Sequence, residues 1–578
     1  MFKLFTQFAS HYQDYVPKSI TCLREGYSKQ FFFNDLIAGV TVGIISLPLA
    51  MAFAIASGLP PERGLFTAVV AGFLISLLGG SRVQIGGPTG AYVVIVYSVV
   101  QRHGYEGLAL ATILAGLLLI VMGLTRCGVL LKFIPYPVTT GFTSGIALSL
   151  FSGQIKDFFG LKIPSLPAHF LEKWHLYIKT AATWSPLAFY IGIASLAIIF
   201  FMRRFVPRVP GAILAVLLAT LVVAFLDLPV DTIEKKFGEI PRTLPLPSFP
   251  LFSIEKIQAV FPDAITIALL GAIESLLSAL IADGMTGHRH RSNGELVAQG
   301  FANIGSIIFG GIPATGAIAR TAANINLHAK TPVAGMLHAI TVLLIMLFFA
   351  PFASKIPLPA LAAVLIYVAW NMSEVEHFID ILKGPRSDAV VLVITFLATV
   401  LIDLTVATQV GIVLSAILFL KRMTNTTSVN VCKLLLKENA HEHPEKYDSD
   451  IIFRDDIPRE VAVFEINGPF FFGVADLLNE ELRQLIETPK FFILRMRKVP
   501  MIDATGIKAL KQFAKKCHQR NIVFLISGVR EELKAMIVKS GVEEAVGQKH
   551  FFRNLDEALA YSKIHLEHAL FNKELQEV

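Results

Sequence analysis

The sequence predicts a polytopic α-helical membrane protein with a soluble α/β domain at its C-terminal end, and three observations predict it. Charged residues make up only 16% of the 578, against 54% hydrophobic, where soluble globular chains carry about 25% charged residues. The deficit is confined to residues 35–422, a succession of long apolar stretches, while 433–578 reads as ordinary soluble sequence. The apolar region also carries one Gly- and Pro-interrupted motif twice, once in each half. A single soluble enzyme and a disordered or fibrous chain are excluded.

Residues 1–34 are polar and mixed in charge, and are expected as a cytoplasmic N-terminal segment. The run from Leu36 to Leu59 is too long for a signal-peptide core and is read as a retained first span. A span needs roughly 20 apolar residues. Fourteen segments are candidates: 36–57, 64–79, 89–101, 107–124, 129–150, 186–202, 211–227, 261–282, 295–310, 316–327, 333–352, 358–370, 387–402 and 405–420. Three of them, 89–101, 316–327 and 358–370, are too short to cross alone. With the N-terminus inside, Arg82, Arg126, Lys132, Arg203, Arg204, Arg208, Arg289, Arg291, Lys330, Lys383, Arg386, Lys421 and Arg422 all fall on one side, the positive-inside pattern. This predicts a multi-pass protein of the cell membrane with both termini cytoplasmic, a transport region at 35–422, a linker at 423–455 and a soluble domain at 456–570.

The net charge of +7 comes from basic residues scattered in loops, with no basic stripe, so no nucleic-acid partner is expected. Cys22, Cys127, Cys432 and Cys517 show no CxxC spacing and form neither a disulfide framework nor a zinc site. His288 and His290 have no Cys or acid in register and read as loop residues. Neither a cofactor nor a metal is expected, and no nucleophile–base motif is present.

The repeated motif reads AGFLISLLGGSRVQIGGPTGA at 71–91 and QGFANIGSIIFGGIPATGA at 299–317. Each copy is a helix ending in Gly-Gly, a Pro-containing connector, Thr-Gly-Ala and a short apolar segment. With seven spans per half the two copies must run in opposite directions. Paired interrupted segments of this kind point to a transporter binding site. A half-helix starting at mid-membrane leaves about four N–H groups free and a partial positive charge, and two such ends facing each other suit an anion.

Glu274 lies mid-span in an apolar helix, with Gly271 and Ser278 on the same narrow face. A carboxyl group at the bilayer centre is costly and marks function, and one that gains and loses a proton there suits a coupling ion. Arg320 closes the short segment that begins at Thr315, and its guanidinium offers up to five donors to an oxyanion. In the tail, 461–466, 491–496 and 522–527 read as buried strands and 503–519 as a helix, an α/β alternation.

The run GAIESLLSALIADGMTGHRHRSNGELVAQGFANIGSIIFGGIPATGAIARTAAN, the first-span run DLIAGVTVGIISLPLAMAFAIASGL and the tail motif DATG resemble the SulP family of anion transporters, over about residues 15–565. The resemblance implies fourteen spans in two inverted seven-helix repeats forming core and gate domains. It also implies an elevator-type mechanism, a homodimer and a cytoplasmic STAS domain. By the same resemblance Phe53, Thr89, Gly90, Ala91, Ala317, Ile318, Ala319 and Arg320 would line the substrate pocket. Glu274 with Ser278 would serve ion coupling, favouring protons over sodium, and Thr505 would be a possible regulatory phosphosite. Leu49 departs from the Gln that many relatives carry after Leu-Pro, which removes one substrate hydrogen bond. The function expected is therefore secondary active, proton-coupled uptake of an inorganic oxyanion, sulfate before bicarbonate or dicarboxylate. An uncoupled channel or exchanger is the alternative, and a membrane-anchored regulator needs no such paired site. The partners expected are the anion, protons, membrane lipids and a second copy of the chain.

Overall fold

The computed structural model describes residues 14–128, 135–163, 166–167, 169–206, 210–250, 253–402, 404–426, 428–431, 457–471 and 488–574. They fall into two compact units, residues 1–415 and 416–578.

Besides the shorter helices Phe170–Thr180, Ile233–Phe237 and Val375–Lys383, the apolar region forms, among the described residues, fourteen helices, one for each candidate segment. In the first half they are α1 (Lys29–Ala56), α2 (Pro61–Leu78), α3 (residues 90–103), α4 (residues 105–124), α5 (Tyr136–Phe159), α6 (Pro186–Phe205) and α7 (Gly211–Phe225). In the second they are α8 (Ile254–Thr286), α9 (Ser292–Ile308), α10 (Ile318–Asn326), α11 (Val333–Ser354), α12 (Leu358–Met372), α13 (Arg386–Leu401) and α14 (Leu404–Thr426). Several boundaries differ from the hydropathy reading, because helices extend past the apolar run wherever capping allows. α1 starts seven residues before Leu36, where the Ser28 hydroxyl accepts from the Phe31 amide at 3.2 Å. α5 starts at Tyr136 behind Pro135 and runs on to Phe159; residues 129–134 of that expected span lie outside the described residues. α3 and α4 follow each other without a loop, broken only at Gly104, whose φ of 67° no β-carbon residue adopts cheaply.

Among the described residues, and taking α3 with α4 and α12 with the helix Val375–Lys383 as single stretches, seven helices are long and apolar enough to cross a membrane by length and composition alone. α10 has only nine residues, about 14 Å of helix, so it reaches roughly half-way across. The packing is swapped between the halves. α8 and α9 pack on α4, and α1 and α2 pack on α11; α13 packs on α5, and α6 packs on α12. Moving every helix number by seven converts each contact into its partner, as a two-fold relation between repeats requires. Their inverted sense is visible where the connectors meet. β1 (Gly86–Gly87), just before α3, pairs antiparallel with β2 (Thr315–Gly316), just before α10.

The second unit is a five-stranded sheet, order β3-β4-β5-β6-β7, from Ser428–Val431, Val461–Asn467, Phe491–Arg495, Val523–Ser527 and Phe551–Phe552. β4 to β7 are parallel and β3 is antiparallel. β3 lies inside the stretch expected as linker. Its four residues, Ser-Val-Asn-Val, are too few to stand out by alternation, and only pairing with β4 makes them a strand. Because successive strand residues point to opposite faces, Phe464 and Phe492 pack with Phe513 of α15 (Ala504–Gln519) on one side, and Val463 and Ile493 pack with Leu559 of α16 (Leu555–Glu574) on the other. Cys517 is buried in the first of these cores, and burial pushes its thiol up to about 12, which leaves it inert.

Asp503 caps α15, its carboxylate accepting from the Gly506 amide at 2.7 Å. Removing such a cap costs about 1 kcal/mol. Asp503→Ala is therefore expected to quicken amide exchange at the start of α15 about fivefold, measured by hydrogen–deuterium exchange on the full chain.

Candidate functional site

The site is assembled where the two connectors cross. Two residues of each pair as β1 and β2, and the Ala317 amide adds a bond to the Ile85 carbonyl at 2.8 Å. α3 then leaves one connector and α10 the other. Since the strands are antiparallel, the helices depart in opposite directions with their N-terminal ends at the crossing. No side chain caps either end: Thr89 before α3 and Ala317 before α10 both leave the first-turn amides without a side-chain acceptor.

α8 holds the crossing in place through Ser275, which the sequence reading did not assign, and through Ser278, which it assigned to ion coupling. Ser275 Oγ lies 2.6 Å from Thr315 Oγ1 and accepts from the Gly316 amide at 3.2 Å, while Gln84 Nε2 donates to the Ser275 carbonyl at 3.1 Å. Thr315 Oγ1 also donates to the Gly271 carbonyl. A β-carbon at Gly316 would collide with the Gln84 amide, so only glycine lets the connectors come this close. Thr321 accepts from the Ile85 amide at 3.0 Å and bonds the Ser278 hydroxyl at 3.1 Å. The available signal for these residues was polarity inside apolar segments. Ser275 beside Glu274 and Gln84 in a connector both showed it, but which partner each takes is a tertiary fact.

Four of the eight expected pocket residues, Phe53, Thr89, Gly90 and Arg320, lie around the crossing. Thr89 is buried and its hydroxyl has no hydrogen-bond partner among the described residues. Phe53 of α1 lies against the start of α3: its ring is 3.3 Å from the position a β-carbon at Gly90 would occupy, and Met372 Sδ is 2.9 Å from it. Arg320, in the first turn of α10, is only 5% exposed. Its Nη2 donates to the Pro88 carbonyl on the opposite connector, and its Nη1 lies beside Gly87 without a hydrogen-bond partner among the described residues. Arg320 therefore reaches across the crossing and does not extend to a membrane surface.

Other expected residues sit differently. Ala91 belongs to the apolar cluster of Ala54 and Ile95. Ala317 is buried, Ile318 half-buried and Ala319 exposed, so the three consecutive residues do not share one surface. Glu274 is buried with no hydrogen-bond partner among the described residues, and Tyr92 and Glu374 are within its electrostatic reach. Ser278, expected beside it, is committed to Thr321. Thr505, in the other unit, is exposed in the first turn of α15. His290 is not an idle loop residue: its Nδ1 lies 2.7 Å from Asp283, seven positions back in sequence. No group of metal-ligating side chains occurs among the described residues.

Comparison with known proteins agrees with this architecture. The chain matches the sulfate permease family over residues 32–395 and the STAS domain over residues 453–558. It is 41% identical over 535 residues to the putative sulfate transporter YvdB of Bacillus subtilis (strain 168), covering 92% of this chain and 98% of that one. It is 30% identical over 539 residues to the bicarbonate transporter BicA of Synechocystis, covering 91% and 93%. The structure of the murine anion transporter Slc26a9 in its inward-facing state superposes with a TM-score of 0.84 at 18% identity, covering 95% and 94%, which shows the same fold. The chain is thus a multi-pass membrane protein of the sulfate permease family, a family of transporters and not of enzymes, with a STAS domain after its spans.

Proposed function

We propose that the chain is a secondary active transporter that takes up a small inorganic oxyanion, sulfate, together with protons. One observation carries the reading. At the point where two uncapped helix N-termini meet, the buried Thr89 hydroxyl and one Arg320 nitrogen both lack partners among the described residues. Buried polar groups are ordinarily paired, and an oxyanion supplies the acceptors that Arg320 and the free amides need. Each helix end contributes roughly +0.5 charge and Arg320 adds one, so the site approaches +2 and matches a divalent anion. Phe53 closes its apolar side.

Glu274 is the coupling group on this reading. It is a buried carboxyl on the helix that holds the crossing, so a proton on it and an anion at the helix ends are bound by one rigid assembly. Displacement of that assembly against the other helices, in elevator fashion, carries both. We place the chain in the cell membrane with both termini cytoplasmic, on the positive-inside distribution, and as a homodimer. Thr505, exposed at a helix N-terminus that favours phosphate, serves as a regulatory phosphosite. The likeness to a named bicarbonate transporter supports bicarbonate as the second substrate reading.

Purified protein in proteoliposomes tests these points. Labelled sulfate is expected to accumulate when the pH gradient alone is imposed and to equilibrate when a sodium gradient alone is imposed. Accumulation driven by sodium, or of bicarbonate in preference to sulfate, would replace the corresponding half of the proposal.

A further inference from the structure

A cavity of about 420 Å³ lies where α1, α3, α5 and α13 end, lined among others by Val93, Leu150, Arg102, Lys156, Lys173 and Lys236. These are all odd-numbered helices, so their C-terminal ends lie on one face, the outer one in the orientation proposed above. The floor of the cavity comes close to the crossing. Val93 is one turn along α3 from Gly90, and Leu150 Cδ2 lies 3.5 Å from where a β-carbon at Gly90 would sit.

The charge of the lining is lopsided. Of the four cations, Arg102 is tied to Asp263 at 2.8 Å and Lys236 to Asp157 at 3.0 Å. Neither Lys156 nor Lys173 makes an ion pair or side-chain hydrogen bond among the described residues. Lys156 stands in the last turn of α5, where a cation offsets the helix end. Lys173 has no such duty. It is carried by a separate helix, Phe170–Thr180, and its ammonium lies 5.1 Å from the centre of the Tyr97 ring. The other charged or imidazole groups in the lining are Lys156, Lys236, Arg102, Asp157 and His169. A half-enclosed space with two uncommitted ammoniums concentrates small anions, since low-dielectric walls strengthen the attraction.

We infer that this cavity is a docking site for a small inorganic anion, held by Lys156 and Lys173 before it passes Phe53 and Leu150, which both flank Gly90, to the helix ends. The inference rests on the transport reading above, to which it adds a separate station. Lys173 lies outside the spans, and burial lowers its ammonium to about 8. The charged form exists below that value, so capture weakens as pH on that face rises through about 8.

The test is amine footprinting of the full-length protein in lipid vesicles, with acetic anhydride as reagent and sulfate as probe. Sulfate is expected to slow acetylation of Lys173 and Lys156 at least threefold, with one half-effect concentration for both. Lys179, exposed on the same helix as Lys173, is the internal control. Lys156→Gln is expected to raise the sulfate concentration that protects Lys173 about tenfold. Equal rates at Lys173 with and without sulfate, or equal slowing at Lys179, would overturn the docking site. Protection that persists in Arg320→Ala places the anion in the cavity. Protection that disappears there assigns it to the helix-end site and overturns the separate station alone. Failure of the transport reading has another signature: no accumulation of sulfate or bicarbonate by the wild-type chain under any gradient.

Discussion

Glu274→Gln is expected to abolish accumulation of the anion under an imposed pH gradient while leaving anion binding within about threefold. The carboxyl is buried on α8 and has no hydrogen-bond partner among the described residues, so no structural ion pair is broken by the change. Glutamine keeps the volume and the hydrogen-bonding capacity of the protonated acid, and cannot carry a proton. Coupling needs a group that is loaded on one side of the membrane and unloaded on the other. Without it the assembly at the crossing can still exchange anion for anion, so counterflow is expected to persist when net uptake is lost. Undiminished pH-driven accumulation in the variant would remove Glu274 from the coupling path. Loss of binding together with uptake would make it a structural residue.

Arg320→Ala is expected to weaken sulfate by about 2–3 kcal/mol, roughly 30- to 150-fold, and bicarbonate by about half that energy. The attraction between a fixed charge and an anion scales with the anion's charge, whereas the helix-end amides act on both. Nη2 of Arg320 is also the clip to the Pro88 carbonyl, so alanine removes one tie between the connectors as well as the charge. Arg320→Lys separates the two effects. It restores the charge without the planar fork, and is expected to recover the preference for the divalent anion but only part of the affinity. Competition binding of both anions to all three proteins in one lipid makes the measurement. Equal losses for sulfate and bicarbonate would make Arg320 a tie and nothing more.

Much of this architecture was legible in the sequence because a bilayer leaves few choices. Every backbone polar group must be satisfied within a span, so the apolar runs had to be helices, and fourteen runs became fourteen helices. The duplicated Gly-Gly…Thr-Gly-Ala motif announced the crossing for the same reason, since irregular backbone survives at that depth only where protein buries it or where it lines a cavity. What hydropathy could not give was the bonding inside it. Ser275 and Ser278 sit on one helix three residues apart and look alike in sequence. One holds Thr315 and Gly316, the other Thr321, and that depends on which connector each meets. Ala317, Ile318 and Ala319 were expected in the pocket together by resemblance, yet Ala317 precedes α10 and the helix turns each following residue by 100° to a different neighbour. β3 was invisible because four residues carry too little pattern, and the Lys156–Lys173 pair because its members come from different helices.

Where the two helix ends meet, the crossing presents mostly main chain, with the side chains of Ser275, Gln84 and Thr321 holding it from behind: two residues from each connector, a few amides that no side chain caps, and glycines at the points of contact. Such a cradle is blind to chemical identity. It registers negative charge and approximate size, and little more. On the proposed function, inheritance can preserve it unchanged while the cargo drifts, because discrimination then rests on a handful of side chains at its rim, Arg320 foremost among them. A lineage could trade one cargo for another by replacing one or two such residues without disturbing the scaffold. Proteins named for sulfate and for bicarbonate can then share one framework with this chain, and the whole-chain identity to either is a poor guide to what it carries.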